Sequence, residues 1–322
     1  MTGQRSRTCL ITGCGGFIGS FLAELMAGRG WTVVGTAHRS RKNLESLEEK
    51  ITVRALDLAD REAIRRLVRE AQPDAVIHLG GQSYIAPSWE DPVGTFQVNI
   101  VGTFHLLEAI REVPGSPVVI VVGSSAEYGH GHGDAPITED AAFRPASPYG
   151  VSKVAQDMLG HMFWRRYGMK VIRARPFALF GPRKDTDAIS GFARGIVRVE
   201  RGEAGAVSVG DLEVIRDFLD VRDGARALAH LVDRGTAGEV YNLCSGTGTR
   251  LRDILERLIA RAEGPVTVQA DPARTRRADV PVLIGDNAKL RRLDWEPEIP
   301  LEQTLQDTLE FWRASHGVKW IA

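Results

Sequence analysis

The sequence predicts an α/β fold: a doubly wound parallel sheet with helices on both faces, followed by a smaller and less regular C-terminal part. Three observations predict it. Short runs rich in β-branched residues alternate with amphipathic stretches as far as Arg175. A glycine-rich turn separates the first such run from the first helical stretch. Beyond Arg175 the alternation gives way to segments punctuated by Gly and Pro, such as Phe180-Gly181-Pro182-Arg183 and Arg201-Gly202-Glu203. Alternation implies a parallel sheet because each parallel strand is reached by a crossover, usually a helix.

The elements follow in order. Cys9-Leu10-Ile11 is apolar and short enough to be a buried strand, and residues 17–25 repeat their apolar side chains at helical spacing. Val33-Val34, Ile51-Thr52-Val53, Ala75-Val76-Ile77, Val118-Val119-Ile120-Val121-Val122 and Val171-Ile172 supply further strands. Residues 61–69 and 95–111 read as amphipathic helices between them. Later, residues 221–232 read as a helix, Glu239-Val240-Tyr241-Asn242-Leu243 as a strand, and residues 301–312 as a last amphipathic helix.

Composition sets limits. The chain has 322 residues, enough for one large domain or two modest ones around a well-buried core. Lysine plus arginine equals aspartate plus glutamate, 41 against 41, so no global field favours nucleic acid or a membrane surface. The three cysteines, Cys9, Cys14 and Cys244, show no metal spacing and are too few for a disulfide framework. A reducing compartment follows. Met1-Thr2-Gly3-Gln4-Arg5 lacks the apolar core of a signal peptide, and no apolar stretch reaches spanning length. The expectation is a soluble cytoplasmic protein with no metal.

The glycine turn carries the first functional signal. Thr12-Gly13-Cys14-Gly15-Gly16-Phe17-Ile18-Gly19 lies between a strand and a helix, the context in which such glycines bind a dinucleotide. Gly13 permits the tight turn, Gly16 lets backbone N–H groups approach a pyrophosphate, and Gly19 lets helix and strand pack closely. These residues make the parallel sheet Rossmann-type. The spacing is Gly-x-x-Gly-x-x-Gly, with Gly15 also present.

The second signal is Ser147-Pro148-Tyr149-Gly150-Val151-Ser152-Lys153. Tyr149 and Lys153 are four residues apart and share one helix face. An ammonium there lowers the phenol's pKa and suits it to acid–base work. Pro148 favours a helix start, which puts Tyr149 in the first turn beside the positive end of the dipole. Tyr-x-x-x-Lys alone recurs by chance in many helices; the glycine loop upstream gives it meaning.

With these motifs the chain resembles the extended short-chain dehydrogenase/reductases, in the branch that works on nucleotide-activated sugars. Asp57-Leu58, His78-Leu79-Gly80-Gly81-Gln82-Ser83, Asn99-Ile100-Val101-Gly102-Thr103 and Val122-Gly123-Ser124-Ser125-Ala126-Glu127-Tyr128-Gly129 extend the match over essentially the whole length. The resemblance implies that Tyr149 passes a proton to or from a sugar hydroxyl at C4 while a nicotinamide exchanges hydride with that carbon. It implies that Lys153 holds the nicotinamide ribose and that Ser124, four residues before Tyr128, orients the sugar oxygen. Gly13, Gly16, Phe17, Ile18, Gly19, Asp57, Leu58, Leu79 and Gly80 are expected at the cofactor, with Asp57 facing the adenine amino group. Ser83, Ser125 and Arg183 are expected at the substrate. Arg216 and Arg276 are expected to clamp a nucleotide diphosphate with guanidinium forks, and Asp279 to accept from a ribose hydroxyl.

Cofactor type is read after the second strand. An acidic residue about 20 positions past the glycine loop selects NAD. Val34-Gly35-Thr36-Ala37-His38-Arg39-Ser40-Arg41-Lys42 has no carboxylate, and Gly35 is taken as the position where NAD-dependent relatives place aspartate. Arg39 suits a 2′-phosphate, with Arg41 or Lys42 assisting. NADP(H) is therefore expected, ahead of NAD(H).

The reaction type is read beside Tyr128. Sugar 4,6-dehydratases that resemble this chain carry a glutamate two residues before that tyrosine, where this chain has Ala126. Glu127 is one residue further on, and one step along extended backbone reverses a side chain. Residues 207–220, 240–246 and 271–290 look most like GDP-4-keto-6-deoxymannose reductases, which use NADPH to make GDP-D-rhamnose. One departure is Ala178-Leu179, where those reductases have Asn-His after Arg-Pro-Phe. The resemblance implies an NADPH-dependent C4 reductase, with a 4-epimerase, a GDP-mannose 4,6-dehydratase with relocated acid, and a non-catalytic NADP sensor as alternatives.

It also implies a domain division: residues 1–175 with 217–243 for the cofactor, and 176–216 with 244–322 for the nucleotide sugar. The outer faces of residues 95–111 and 148–167, with Phe104, Leu107, Met158, Leu159, Met162 and Phe163, are expected to form a homodimer, some of these side chains facing the chain's own sheet.

Overall fold

The computed structural model describes residues 6–38, 41–47, 49–272 and 280–315. Thirteen strands run in chain order among them. They are β1 (Thr8–Thr12), β2 (Thr32–Ala37), β3 (Thr52–Ala55), β4 (Ala75–His78), β5 (Val118–Val122), β6 (Lys170–Pro176) and β7 (Ala178–Phe180). There follow β8 (Val207–Val209), β9 (Ile215–Asp220), β10 (Val240–Leu243), β11 (Gly248–Arg250), β12 (Val268–Ala270) and β13 (Val282–Leu283). The main sheet has seven strands in the order β10-β6-β5-β4-β1-β2-β3, every pair parallel. The order reverses between β1 and β4, so a crevice opens at their carboxyl ends.

Helices cover both faces. On one lie α1 (Phe17–Gly28) and, later in the chain, α8 (Val221–Arg234); on the other lie α2 (Arg61–Ala71), α5 (Gly102–Arg111) and α6 (Pro148–Tyr167). Burial from both sides leaves β1 and β4 without an exposed residue. That is why they read as unbroken apolar runs rather than alternating ones.

Local signals set the ends of α2. Asp60 caps its start by accepting from the Ala63 N–H, and Gln72 ends it in a left-handed conformation. Residues 95–111 do not form the single helix expected. They divide into α4 (Pro92–Phe96), a π-helical turn (Gln97–Val101) and α5 (Gly102–Arg111), preceded by the short α3 (Ile85–Glu90). The wide turn brings Asn99 fully inside, where a regular helix would keep a polar residue outside. Helix α6 (Pro148–Tyr167) starts at Ser147, whose side chain accepts from the Gly150 N–H, with Pro148 in the first turn.

The remaining elements build a second core. Strand β9 pairs with β7, β11 and β13, and β8 pairs with β12. Helices α7 (Ala188–Glu200), α9 (Leu251–Ile259) and α11 (Leu301–Ala314) pack on them. Asp217, fully buried, ties the layer together: its carboxylate accepts from the N–H groups of Ser245, Gly246 and Gly285. Residues 217–220 therefore sit with the second sheet, not with the return to the first as the sequence suggested. The return begins at α8 (Val221–Arg234), which packs on α1, and finishes with β10 beside β6. The short α10 (Ala288–Arg291) lies against β10.

Candidate active site

A cleft of about 950 Å³ opens at the carboxyl ends of the main sheet and reaches the second sheet. Gly13, Gly16, Phe17, Ile18, Gly19, Leu79 and Gly80 line one end; Ser83, Ser124, Ser125, Tyr149, Lys153 and Arg216 line the rest. At two positions the glycine turn has no room for a side chain. Gly13 has φ +71°, and a Cβ there would lie 2.9 Å from Gly80 Cα. At Gly19 a Cβ would lie 2.3 Å from the Gly13 carbonyl oxygen. The first contact keeps the loop low against β4 and the second lets α1 start directly over β1, which leaves the N-terminus of α1 open to an anion.

Ser124, Tyr149 and Lys153 meet at the centre. Ser124 sits at the end of β5, where its Oγ accepts from the Ala126 N–H at 3.1 Å, and its hydroxyl lowers the pKa of the neighbouring Tyr149 phenol. Tyr149 and Lys153 are both buried on α6. Lys153 Nζ donates to the Val122 carbonyl at 3.0 Å and stands 5.9 Å from the Tyr149 ring centre.

The expected lowering of the phenol's pKa is not present in this arrangement. Burial pushes Tyr149 up to about 12, the Ser124 hydroxyl opposing and Glu127 assisting. Lys153 is turned towards the Val122 carbonyl instead of the phenol oxygen. Burial brings its pKa down to about 8, against the pull of Glu127.

Ala126 lines the cleft and Glu127 does not. The reason differs from the one the sequence suggested. The backbone here is a 3-10 turn (Ser125–Glu127), not extended strand. It folds the fully buried Glu127 carboxylate under the turn, where Oε1 accepts from the Ser124 N–H at 2.7 Å and Oε2 lies 3.0 Å from Arg175 Nε. The Nε hydrogen is directed at Asp157, also at 3.0 Å, so Glu127 Oε2 is held by charge without a directed hydrogen bond.

Other expected residues lie elsewhere. Arg183 is directed away from the cleft: it donates to Glu24 at 3.1 Å and stacks over Phe21 at 4.2 Å, both on α1. Asp57 is exposed and accepts from the Ala59 N–H, and Leu58 is buried beneath Gly80; neither lines the cleft. Arg216 reaches the cleft wall, where it donates to the Ile215, Val280 and Pro281 carbonyls, and burial lowers its pKa to about 10. Gly35 is not at the cofactor end of β2. A Cβ there would lie 2.3 Å from Cys14 Sγ, and the cleft is lined instead by Ala37 and His38. Arg39, Arg276 and Asp279 fall outside the described residues.

A buried polar network behind the site went unassigned in the sequence. Asn99 Nδ2 donates to Ser152 Oγ at 2.9 Å and to the Gln82 carbonyl, and its Oδ1 accepts from the Gln82 N–H. His78 is paired with Thr12 at 2.7 Å and with Thr103 at 2.9 Å. The network joins the glycine turn to α6. Its residues lie in separate sequence motifs, and the π turn brings them together.

A parallel sheet with a glycine turn at its switch point and Ser, Tyr and Lys converging in the crevice defines a class. The chain belongs to the GDP-mannose 4,6 dehydratase family, whose model matches residues 10–308, within the extended short-chain dehydrogenase/reductases. It is 36% identical to GDP-6-deoxy-D-mannose reductase of Pseudomonas aeruginosa, over 94% of this chain and 96% of that protein. It is 29% identical to UDP-glucose 4-epimerase of Mycolicibacterium smegmatis, over 94% and 98% respectively. Among solved structures, RMD from Pseudomonas aeruginosa complexed with NADPH is similar, with a TM-score of 0.83 and 33% identity over 96% of this chain and 99% of that one. The UDP-glucose 4-epimerase complex with NAD of Thermus thermophilus gives a TM-score of 0.86 at 28% identity, over 96% and 99%.

Proposed function

We propose that the protein is an NADPH-dependent reductase of the C4 keto group of a nucleotide-linked 4-keto-6-deoxyhexose. The favoured reaction takes GDP-4-keto-6-deoxy-D-mannose to GDP-D-rhamnose. One observation carries the reaction type: the cleft holds a proton donor for C4, Tyr149, while Ala126 stands where a dehydratase needs a second acid and Glu127 is locked beneath the turn. The relative at 36% identity supports the GDP-sugar and the NADPH-bound neighbour the cofactor.

The glycine turn fits a dinucleotide: close backbone packing at Gly13 and Gly19 sets the loop against the start of α1, and Gly13, Gly15, Gly16 and Gly19 line the cleft there. When bound, the reduced nicotinamide supplies hydride to C4. Ser124 holds the C4 oxygen against Tyr149, and Tyr149 gives its proton to the forming alkoxide. A phenol held near 12 keeps that proton at every working pH, which suits the reducing direction. Lys153 would hold the nicotinamide ribose, and its ammonium would balance the phenolate that Tyr149 leaves behind. Arg216 is the diphosphate ligand on this reading, exchanging backbone carbonyls for phosphate oxygens.

The nucleotide-sugar part is residues 176–220 with the segment after β10, and the compartment is the cytoplasm, in keeping with three free buried cysteines. Phe104, Met158 and Met162 stay exposed on α5 and α6 while Leu107 and Phe163 are core. That outer face supports a homodimer, which sedimentation equilibrium at micromolar concentration checks.

The test is a panel of nucleotide 4-keto-6-deoxysugars with NADPH, followed by absorbance of the reduced cofactor. Stoichiometric consumption with the GDP sugar is expected. Conversion of a nucleotide hexose bearing a C4 hydroxyl to its C4 epimer, with no net consumption of cofactor, would mean a 4-epimerase.

A further inference from the structure

Glu127 is a fully buried carboxylate beside the catalytic group that the proposed reaction does not use as an acid. We propose that Glu127, anchored by Arg175, is a positioning residue: it fixes the turn that aims Ser124 at Tyr149. The inference rests on the reductase reading for its kinetic consequences alone.

The geometry supports this role. Oε1 accepts the Ser124 N–H at 2.7 Å while Ser124 Oγ accepts the Ala126 N–H, so the turn is closed from both sides. The chain passes tightly over the carboxylate, since a Cβ at Gly123 would lie 2.1 Å from Oε1. Arg175 cannot swing away. Its side chain is 3% exposed and donates to Asp157 at 3.0 Å, to Tyr128 Oη at 2.9 Å and to the Glu139 carbonyl at 3.0 Å.

The role does not depend on charge. Burial and Asp157 push the Glu127 pKa up to about 8, and Arg175, the Ser124 N–H and Lys153 oppose. A neutral carboxyl keeps a carbonyl oxygen that accepts the Ser124 N–H as the carboxylate does.

The test needs an isosteric change and a shortened one. Glu127→Gln keeps an acceptor for the Ser124 N–H; Glu127→Asp withdraws it. Hydrogen exchange at the Ser124 amide, followed by NMR, should stay slow in Glu127→Gln and become at least about tenfold faster in Glu127→Asp. For Glu127→Asp we also expect kcat reduced by about three- to tenfold at nearly constant KM for the cofactor, with Glu127→Gln close to the wild type. An unchanged kcat or an unchanged Ser124 exchange in Glu127→Asp overturns the positioning role. Should Glu127→Gln fail to fold, Glu127→Asp decides alone. The exchange measurement needs no substrate, so an inactive wild type would sink the reductase reading and leave this inference to its own result.

Discussion

Tyr149→Phe separates chemistry from structure at this site. The ring is 8% exposed and phenylalanine keeps its packing, so the change removes one hydroxyl and its polar interaction with Ser124. Ser124 Oγ retains the Ala126 N–H at 3.1 Å, so the turn stays closed. The cost in stability is therefore that of one hydrogen bond, about 0.5–1.5 kcal/mol. Losing the general acid costs more: a rate reduction of about 10²–10⁴, equivalent to roughly 2.7–5.5 kcal/mol on the barrier. Turnover should fall by that factor while NADPH binding, measured by fluorescence titration, changes little. Steady-state rates with the GDP keto sugar give the first number and urea unfolding the second. A loss below tenfold in kcat, or a parallel loss in cofactor affinity, would refute the assignment of Tyr149 as proton donor.

Two further outcomes follow from the packing around the cofactor end. Gly35→Asp should fail as a route to NAD: its side chain would strike Cys14 Sγ, and overpacking of this kind costs roughly 1–3 kcal/mol before any buried charge is counted. Ala37→Asp at the strand end should instead raise NADH use relative to NADPH; the opposite ranking of the two variants would count against this placement of the ribose. His78 tests the network behind the site. Burial holds its pKa down to about 3 from an ordinary 6.5, so the folded chain binds fewer protons than the unfolded one between those values. Its contribution to stability is complete above pH 6.5 and is lost as pH falls towards 3. The loss between pH 7 and 4.5 is about 3 kcal/mol, and His78→Gln should remove that much of the pH dependence in urea unfolding.

Much of the fold was legible because burial on both faces leaves a simple trace: Leu10, Val76 and Ile120 sit in unbroken apolar runs at the centre of the sheet. The glycine turn was legible for a similar reason, since Gly13 and Gly19 admit no other residue. Tyr149 and Lys153 could be paired from helical spacing alone. What escaped depends on geometry that spacing does not encode. Apolar periodicity continues through Gln97–Val101, so nothing in it marks the π turn that buries Asn99. Glu127 was placed outside the cleft on the argument of an extended strand, and it is outside because a 3-10 turn and Arg175 take it under. Gly35 was misplaced because the end of β2 relative to the glycine loop is fixed by packing on Cys14. Arg183 is long enough to reach either the cleft or α1, and Phe21 and Glu24 draw it to the helix. The apolar spacing of Ile189, Phe192, Ala193, Ile196 and Val197 in α7 was readable and was passed over amid the glycines of that region.

The central claim is that Tyr149 and a reduced nicotinamide act together at C4 of the sugar and at no other carbon. Its most direct measurement is the fate of deuterium carried at the transferring position of NADPH, read by NMR of the product from GDP-4-keto-6-deoxy-D-mannose. One deuterium at C4 of the hexose for each NADPH consumed, and none at C5 or C6, is the result the account predicts. Conversion of GDP-mannose to a 4-keto-6-deoxy sugar without added NADPH, with solvent hydrogen entering at C5, would contradict it and would require Glu127 to leave Arg175 and enter the cleft.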